Sequence, residues 1–186
     1  MNRSACILAR ARVVVAAAAI LVTAAVARAE VHEARTGTFV VTQTVTVPGS
    51  PEAVYDLATG DLSPWWDHSF SVKPKRFFLE AKPGGGFWEL FDDQGNGVKH
   101  ATVIYADRGK LLRFEGPLGL SGNAITLVTT YAFSPVGTDS TRLDVTAHCA
   151  GEFQDTWPAV VDGVWRHFIV ERFKPYAESV AHQGRK

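Results

Sequence analysis

The chain has 186 residues, 46% hydrophobic and 20% charged, with 19 Lys+Arg balancing 19 Asp+Glu. That composition excludes a disordered chain, and the lack of a basic excess excludes a nucleic-acid binder that works by neutralising phosphates. Two cysteines, with no CxxC motif and no His/Cys cluster, supply neither a disulfide scaffold nor a structural zinc site.

Arg3, Arg10 and Arg12 lead into an apolar run over residues 13–26, which closes on Ala27-Arg28-Ala29. A basic start, a short apolar stretch and small residues at an A-x-A site make the pattern of a secretory signal peptide, with cleavage expected after Ala29. The run is shorter than the roughly 20 apolar residues a bilayer requires. No stable membrane insertion is therefore expected after cleavage, and the predicted location is the periplasm or the medium. The expected mature chain, 30–186, carries 15 basic and 19 acidic residues, a net charge of −4, and one thiol, Cys149. Residues 30–35 are expected to form a flexible start, 36–180 one domain and 181–186 a flexible tail.

Residues 38–47 alternate, with Phe39, Val41, Val45 and Val47 on one face and threonines on the other. That period of two predicts a half-buried strand. Pro48-Gly49 stops it, and Ser50 followed by Pro51 starts a short helix that ends near Gly60. A second short helix is expected from Asp61 or Ser63, carrying Trp65 and Trp66. A meander follows, with strands at 76–82, 87–91, 98–106, 110–115, 124–133 and 141–149, separated by Gly- and Asp-rich turns. About seven strands joined by short turns pair antiparallel. Residues 156–179 place Trp157, Val160, Val161, Val164, Trp165, Phe168, Arg172 and Tyr176 on one helical stripe. Gly163 in that helix implies close approach to a neighbour or a bend. The fold class is α+β, with helices on one face of an antiparallel sheet.

Ser50-Pro51-Glu52-Ala53-Val54-Tyr55, Trp65-Trp66, Pro83-Gly84-Gly85-Gly86-Phe87-Trp88-Glu89, Arg108-Gly109-Lys110-Leu111-Leu112-Arg113-Phe114 and Gly137-Thr138-Asp139-Ser140-Thr141-Arg142-Leu143 occur in that order. Together they resemble the START-like (SRPBCC, helix-grip) superfamily, in the branch similar to the C-terminal domain of the heat-shock-protein ATPase activator. The resemblance spans residues 36–180. It implies a sheet curled around the long C-terminal helix, with an apolar cavity between them. An exported single domain departs from the cytosolic setting of the activator, so regulation of a chaperone ATPase is not carried over.

No residue cluster announces a reaction. The histidines at 32, 68, 100, 148, 167 and 182 form no His-x-His or His-x-x-x-His pair, so neither a metal nor another cofactor is expected. Cys149 lacks an adjacent cation or base and reads as a buried small residue. Asp92-Asp93 reads as turn chemistry.

What remains is the aromatic content, which the resemblance turns into a pocket lining: Trp65, Trp66, Phe78, Trp88, Tyr105, Phe114, Tyr131, Trp165 and Phe168, with Thr129 as a polar contact. Gln43 is a further polar candidate. The expected partner is a small hydrophobic molecule. The alternative is an enzyme of the cyclase or hydratase type that this superfamily also contains, with Tyr131, His100 and Asp67 as its candidate acids or bases.

Overall fold

The computed structural model describes residues 35–67 and 70–184. The predicted signal segment, His32 and His68 lie outside the described residues. Eight strands form one antiparallel sheet in the order β1-β8-β7-β6-β5-β4-β3-β2. They are β1 (Thr36–Pro48), β2 (Gly60–Asp61), β3 (Arg76–Leu79), β4 (Gly86–Leu90), β5 (Gly97–Asp107), β6 (Leu111–Gly116), β7 (Ile125–Val136) and β8 (Ser140–Glu152). The strand missing from the sequence reading is β2, two residues paired with Leu79 and Phe78.

The long strands behave as their alternation requires. Val41, Val45 and Val47 of β1 are buried, as are Leu143, Val145, Ala147 and Cys149 of β8 and Ile125, Leu127, Tyr131 and Phe133 of β7. The intervening positions of β1 and β8 face outward, Val40 among them with half its surface exposed. Between β1 and β2 lies one helix, α1 (Pro51–Leu57). Ser50 Oγ accepts from the Ala53 N–H at 3.3 Å, the expected N-cap.

The second predicted helix does not form. Asp61 turns its carboxylate onto the Ser63 N–H, and the Leu62 N–H donates to Phe77 O, extending the strand pairing. Only a single turn follows, closed by Trp65 and Trp66 N–H groups on Leu62 O. A turn this short cannot offset the cost of helix nucleation; burial of Leu62 and Trp65 fixes it instead.

The C-terminal helix is one continuous rod of three parts: α2 (Trp157–Arg166), a wider π-helical stretch (His167–Phe173) and α3 (Lys174–Gln183). Its irregularity has a visible cause. Pro175 has no N–H to donate, and in a regular helix its ring would press on the carbonyl four residues back. The chain widens just before it, and the Lys174 N–H reaches five residues back to Ile169 O. Gly163, by contrast, makes no close approach to a neighbour: a Cβ there would meet open space. The helix packs its apolar stripe, Val161, Trp165, Phe168, Ile169, Phe173 and Ala177, into the same core as the sheet. Among the described residues no helix is long and apolar enough to cross a membrane.

Candidate functional site: an apolar cavity with one buried imidazole

Between the sheet and the helix lies a cavity of about 320 Å³. Its floor is Phe77 of β3, Phe87 of β4, His100 of β5 and Leu127 of β7; its roof is Val161, Trp165 and Phe168 of the helix. Trp66 closes one side, its ring stacked on Phe168 at 3.7 Å between centroids. Three of the lining side chains, Phe70, Val160 and Val164, are among the exposed large hydrophobic residues of the molecule, so the mouth is as apolar as the walls. The Leu118–Leu120 turn completes the rim, with buried Leu118 held at φ +51°. That left-handed conformation is strained for a branched side chain.

His100 reaches the cavity because β5 is bulged. Phe87 pairs with Ala101 and Trp88 with Lys99, leaving His100 as an extra residue in the ladder. His100 and Ala101 are consequently both buried on the inner side. The bulge needs room on its other flank. A Cβ on Gly116 would lie 2.4 Å from His100 O, so only glycine fits at the end of β6.

Behind the imidazole sits Glu89, fully buried on β4. Its Oε2 lies 3.1 Å from His100 Nε2 and accepts from the Phe70 N–H at 2.9 Å. Its Oε1 accepts from the Ser71 N–H at 2.8 Å and the Ser71 hydroxyl at 2.9 Å. Burial raises the proton affinity of this carboxyl. The hydrogen bonds from Phe70, Ser71 and His100 outweigh it and hold the pKa below the ordinary 4.5. Glu89 is therefore a carboxylate that ties the 70–71 segment at the mouth to the imidazole in the wall.

The likeness to other proteins is one of architecture. No family model matches the chain, and no curated protein does. Solved structures do: a protein of Nitrosomonas europaea is 15% identical with a TM-score of 0.51, over 78% of this chain and 96% of that one. A conserved protein of unknown function from Enterococcus faecalis is 14% identical with a TM-score of 0.55, over 76% and 72%. The Aha1 dimer from Colwellia psychrerythraea is 17% identical with a TM-score of 0.49, over 75% and 96%. The eight-stranded antiparallel sheet carrying a long C-terminal helix, together with a likeness to these two solved structures over 78% and 76% of the chain, decides the fold. The domain has the helix-grip fold.

Within this helix-grip domain the ten side chains expected at a pocket divide into three groups. Trp66, Trp165 and Phe168 line the cavity. Trp65, Phe114, Thr129 and Tyr131 are buried behind it: Trp65 Nε1 donates to Leu57 O at 3.2 Å, and Phe114 meets Tyr131 edge-on at 5.4 Å. Burial pushes the Tyr131 phenol far above its ordinary value, and Thr129 Oγ1 has no hydrogen-bond partner among the described residues. Phe78, Trp88 and Tyr105 lie away from the cavity. Phe78 and Trp88 pair across β3 and β4 on the opposite face, under the Arg76 guanidinium and the Lys99 ammonium respectively. Tyr105 follows a second bulge, at Ile104, that turns both residues outward.

Of the three candidate acids or bases, His100 alone lines the cavity. Asp67 faces His167 Nε2 at 2.8 Å and Arg172 Nε at 3.2 Å on the surface of the helix. Gln43 is bound to Asp162 at 2.8 Å. Burial pushes the Cys149 thiol up to about 11, which leaves it inert as a nucleophile at neutral pH.

Proposed function

We propose that this is an exported START-like domain that binds a small hydrophobic molecule between its sheet and its C-terminal helix. The observation that carries the reading is the cavity: about 320 Å³, walled by Trp, Phe, Leu and Val side chains and opening through an apolar mouth. Such a volume and lining suit a compact apolar ligand. Export rests on the basic, apolar and A-x-A pattern of residues 1–29. Intact-mass measurement of the protein from cell fractions tests export. A chain beginning at Glu30 in the periplasm or medium is expected; an uncleaved chain retained in the cytosol sinks it. Native mass spectrometry and a thermal-shift screen of aromatic and aliphatic compounds test binding. Compounds that raise Tm are expected, and a protein that holds none and responds to none loses the binding role.

Catalysis of the cyclase or hydratase type in the same cavity is a second reading, favoured by one observation, the imidazole in its wall backed by a buried carboxylate. Recovery of the bound compound after long incubation separates the two. An unchanged mass supports binding alone, whereas a change by one water or a new ring supports turnover.

A further inference from the structure

Among the described residues the wall of this cavity contains one strong hydrogen-bonding side chain. Apart from the indoles of Trp66 and Trp165, every described lining residue other than His100 has a hydrocarbon side chain or is glycine. His100 is only 6% exposed, and its Nε2 is engaged by Glu89. No described residue hydrogen-bonds its Nδ1. An ionised carboxylate accepts and cannot donate, so in the neutral ring Nε2 carries the hydrogen and Nδ1 the lone pair. The imidazole is clamped among aromatic rings: it stacks on Phe70 at 5.4 Å with planes 19° apart and meets Phe77 and Phe87 at 5.7 and 5.3 Å. Its orientation is thereby fixed from three sides. A lone acceptor in an apolar enclosure rewards a ligand that brings one donor and discriminates against a ligand that brings none.

We propose that the ligand of this cavity has an aromatic body bearing a hydroxyl or N–H donor, and that His100 Nδ1 accepts that hydrogen while Glu89 holds the imidazole in the required tautomer. This rests on the cavity being a ligand site. Size narrows the class further. A dry cavity of about 150 Å³ holds benzene, so about 320 Å³ accommodates two or three fused rings. His100 lies in the floor and stacks on Phe70, one of the exposed residues at the mouth, so the donor is met on the Phe70 side of the cavity. His100 is the binding residue and Glu89 a positioning residue.

Isothermal titration of the purified protein with 2-naphthol, 2-methoxynaphthalene and naphthalene tests the proposal. Wild type is expected to bind 2-naphthol about tenfold tighter than 2-methoxynaphthalene, since the ether keeps the oxygen and loses only the donor. In His100→Leu the two are expected to bind within about twofold of each other, with naphthalene retained. In Glu89→Gln the amide presents either its oxygen or its NH2 to Nε2, because the Phe70 and Ser71 N–H groups each call for an acceptor, and nitrogen-15 spectra of the variant report which. With the hydrogen moved to Nδ1 the tenfold preference collapses although the ring remains; with it kept on Nε2 the preference persists, and any other combination overturns the positioning role. A purely structural role for Glu89 would weaken all three probes together and leave their ratio unchanged. Nitrogen-15 spectra of wild type, assigned by loss in His100→Leu, are expected to show the Nε2–H tautomer. Equal binding of naphthol and its ether by wild type overturns the donor proposal and leaves the cavity reading standing. Failure of every probe to bind overturns the cavity reading and this proposal with it.

Discussion

Thr129 sits on β7 between Leu127 and Tyr131 with none of its surface exposed, and its hydroxyl makes no hydrogen bond. A buried hydroxyl without a partner forfeits its hydration, at a cost of about 1–3 kcal/mol. Thr129→Val keeps the branched shape and removes the stranded oxygen. It is therefore expected to raise stability by about 1 kcal/mol in denaturant melts, an inversion of the usual penalty for core substitution. A loss of that size would reveal a bound water or ligand group that satisfies the hydroxyl. Glu89, equally buried, is the opposite case: its four hydrogen bonds leave neither oxygen idle. Truncating it strands several donors at once, which is why its informative substitution is the isosteric glutamine.

At the scale of elements, the C-terminal helix carries its tension at Pro175 and its slack at Gly163. Because a Cβ at position 163 meets nothing, Gly163→Ala is expected to stabilise the domain by up to about 1 kcal/mol through helix propensity alone. Chemical denaturation with an unchanged m-value checks it, and a loss would show that the helix surface there is covered. The regular elements were legible in the sequence because alternation in β1, β7 and β8 and the stripe of α2 are uninterrupted. The site was less legible for physical reasons. In Phe77-Phe78 and Phe87-Trp88 one ring of each doublet enters the core and the other leaves it, and the flanking polar residues decide which. Arg76 and Glu80 share the face of Phe78 and so point Phe77 inward. For the second doublet the same rule misleads, because the polar neighbour, Glu89, is itself inside. Two bulges in β5 then break the period on which any assignment of His100 and Tyr105 depends. The π-helical turn was signalled by Pro175 alone.

Across the whole molecule, two ionisable groups give stability a defined pH dependence. The Glu89 pKa is lowered in the fold, so its contribution is complete above about pH 4.5 and is lost as pH falls through the folded value. The His167 pKa is raised, chiefly by its hydrogen bond to Asp67, with Glu171 assisting against partial desolvation. Its contribution is complete below about pH 6.5 and is lost as pH rises through the raised value. Stability from these two groups is therefore greatest between those limits and falls on both sides. Urea melts across the range from about pH 3 to 8 are expected to show both limbs. The acid limb should flatten in Glu89→Gln and the alkaline limb in His167→Gln. An acid limb that survives in Glu89→Gln would assign it to other carboxylates.

The bulge at His100 has a consequence for how such a domain gains or loses its polar contact. The ladder between β4 and β5 runs Phe87–Ala101 and Trp88–Lys99 with His100 left over, so excising that single codon joins Lys99 to Ala101 and leaves every other pairing in place. No frame slips between β4 and β5, because the extra residue is opposite nothing on β4. A chain shortened by this one residue is expected to keep its circular dichroism spectrum and to lose no more than about 2–3 kcal/mol, while forfeiting any preference for naphthol over its methyl ether. Unfolding on excision would mean that the sheet depends on the insertion. Survival would make the imidazole a detachable graft, acquired or discarded by one insertion or deletion, on a scaffold indifferent to its presence.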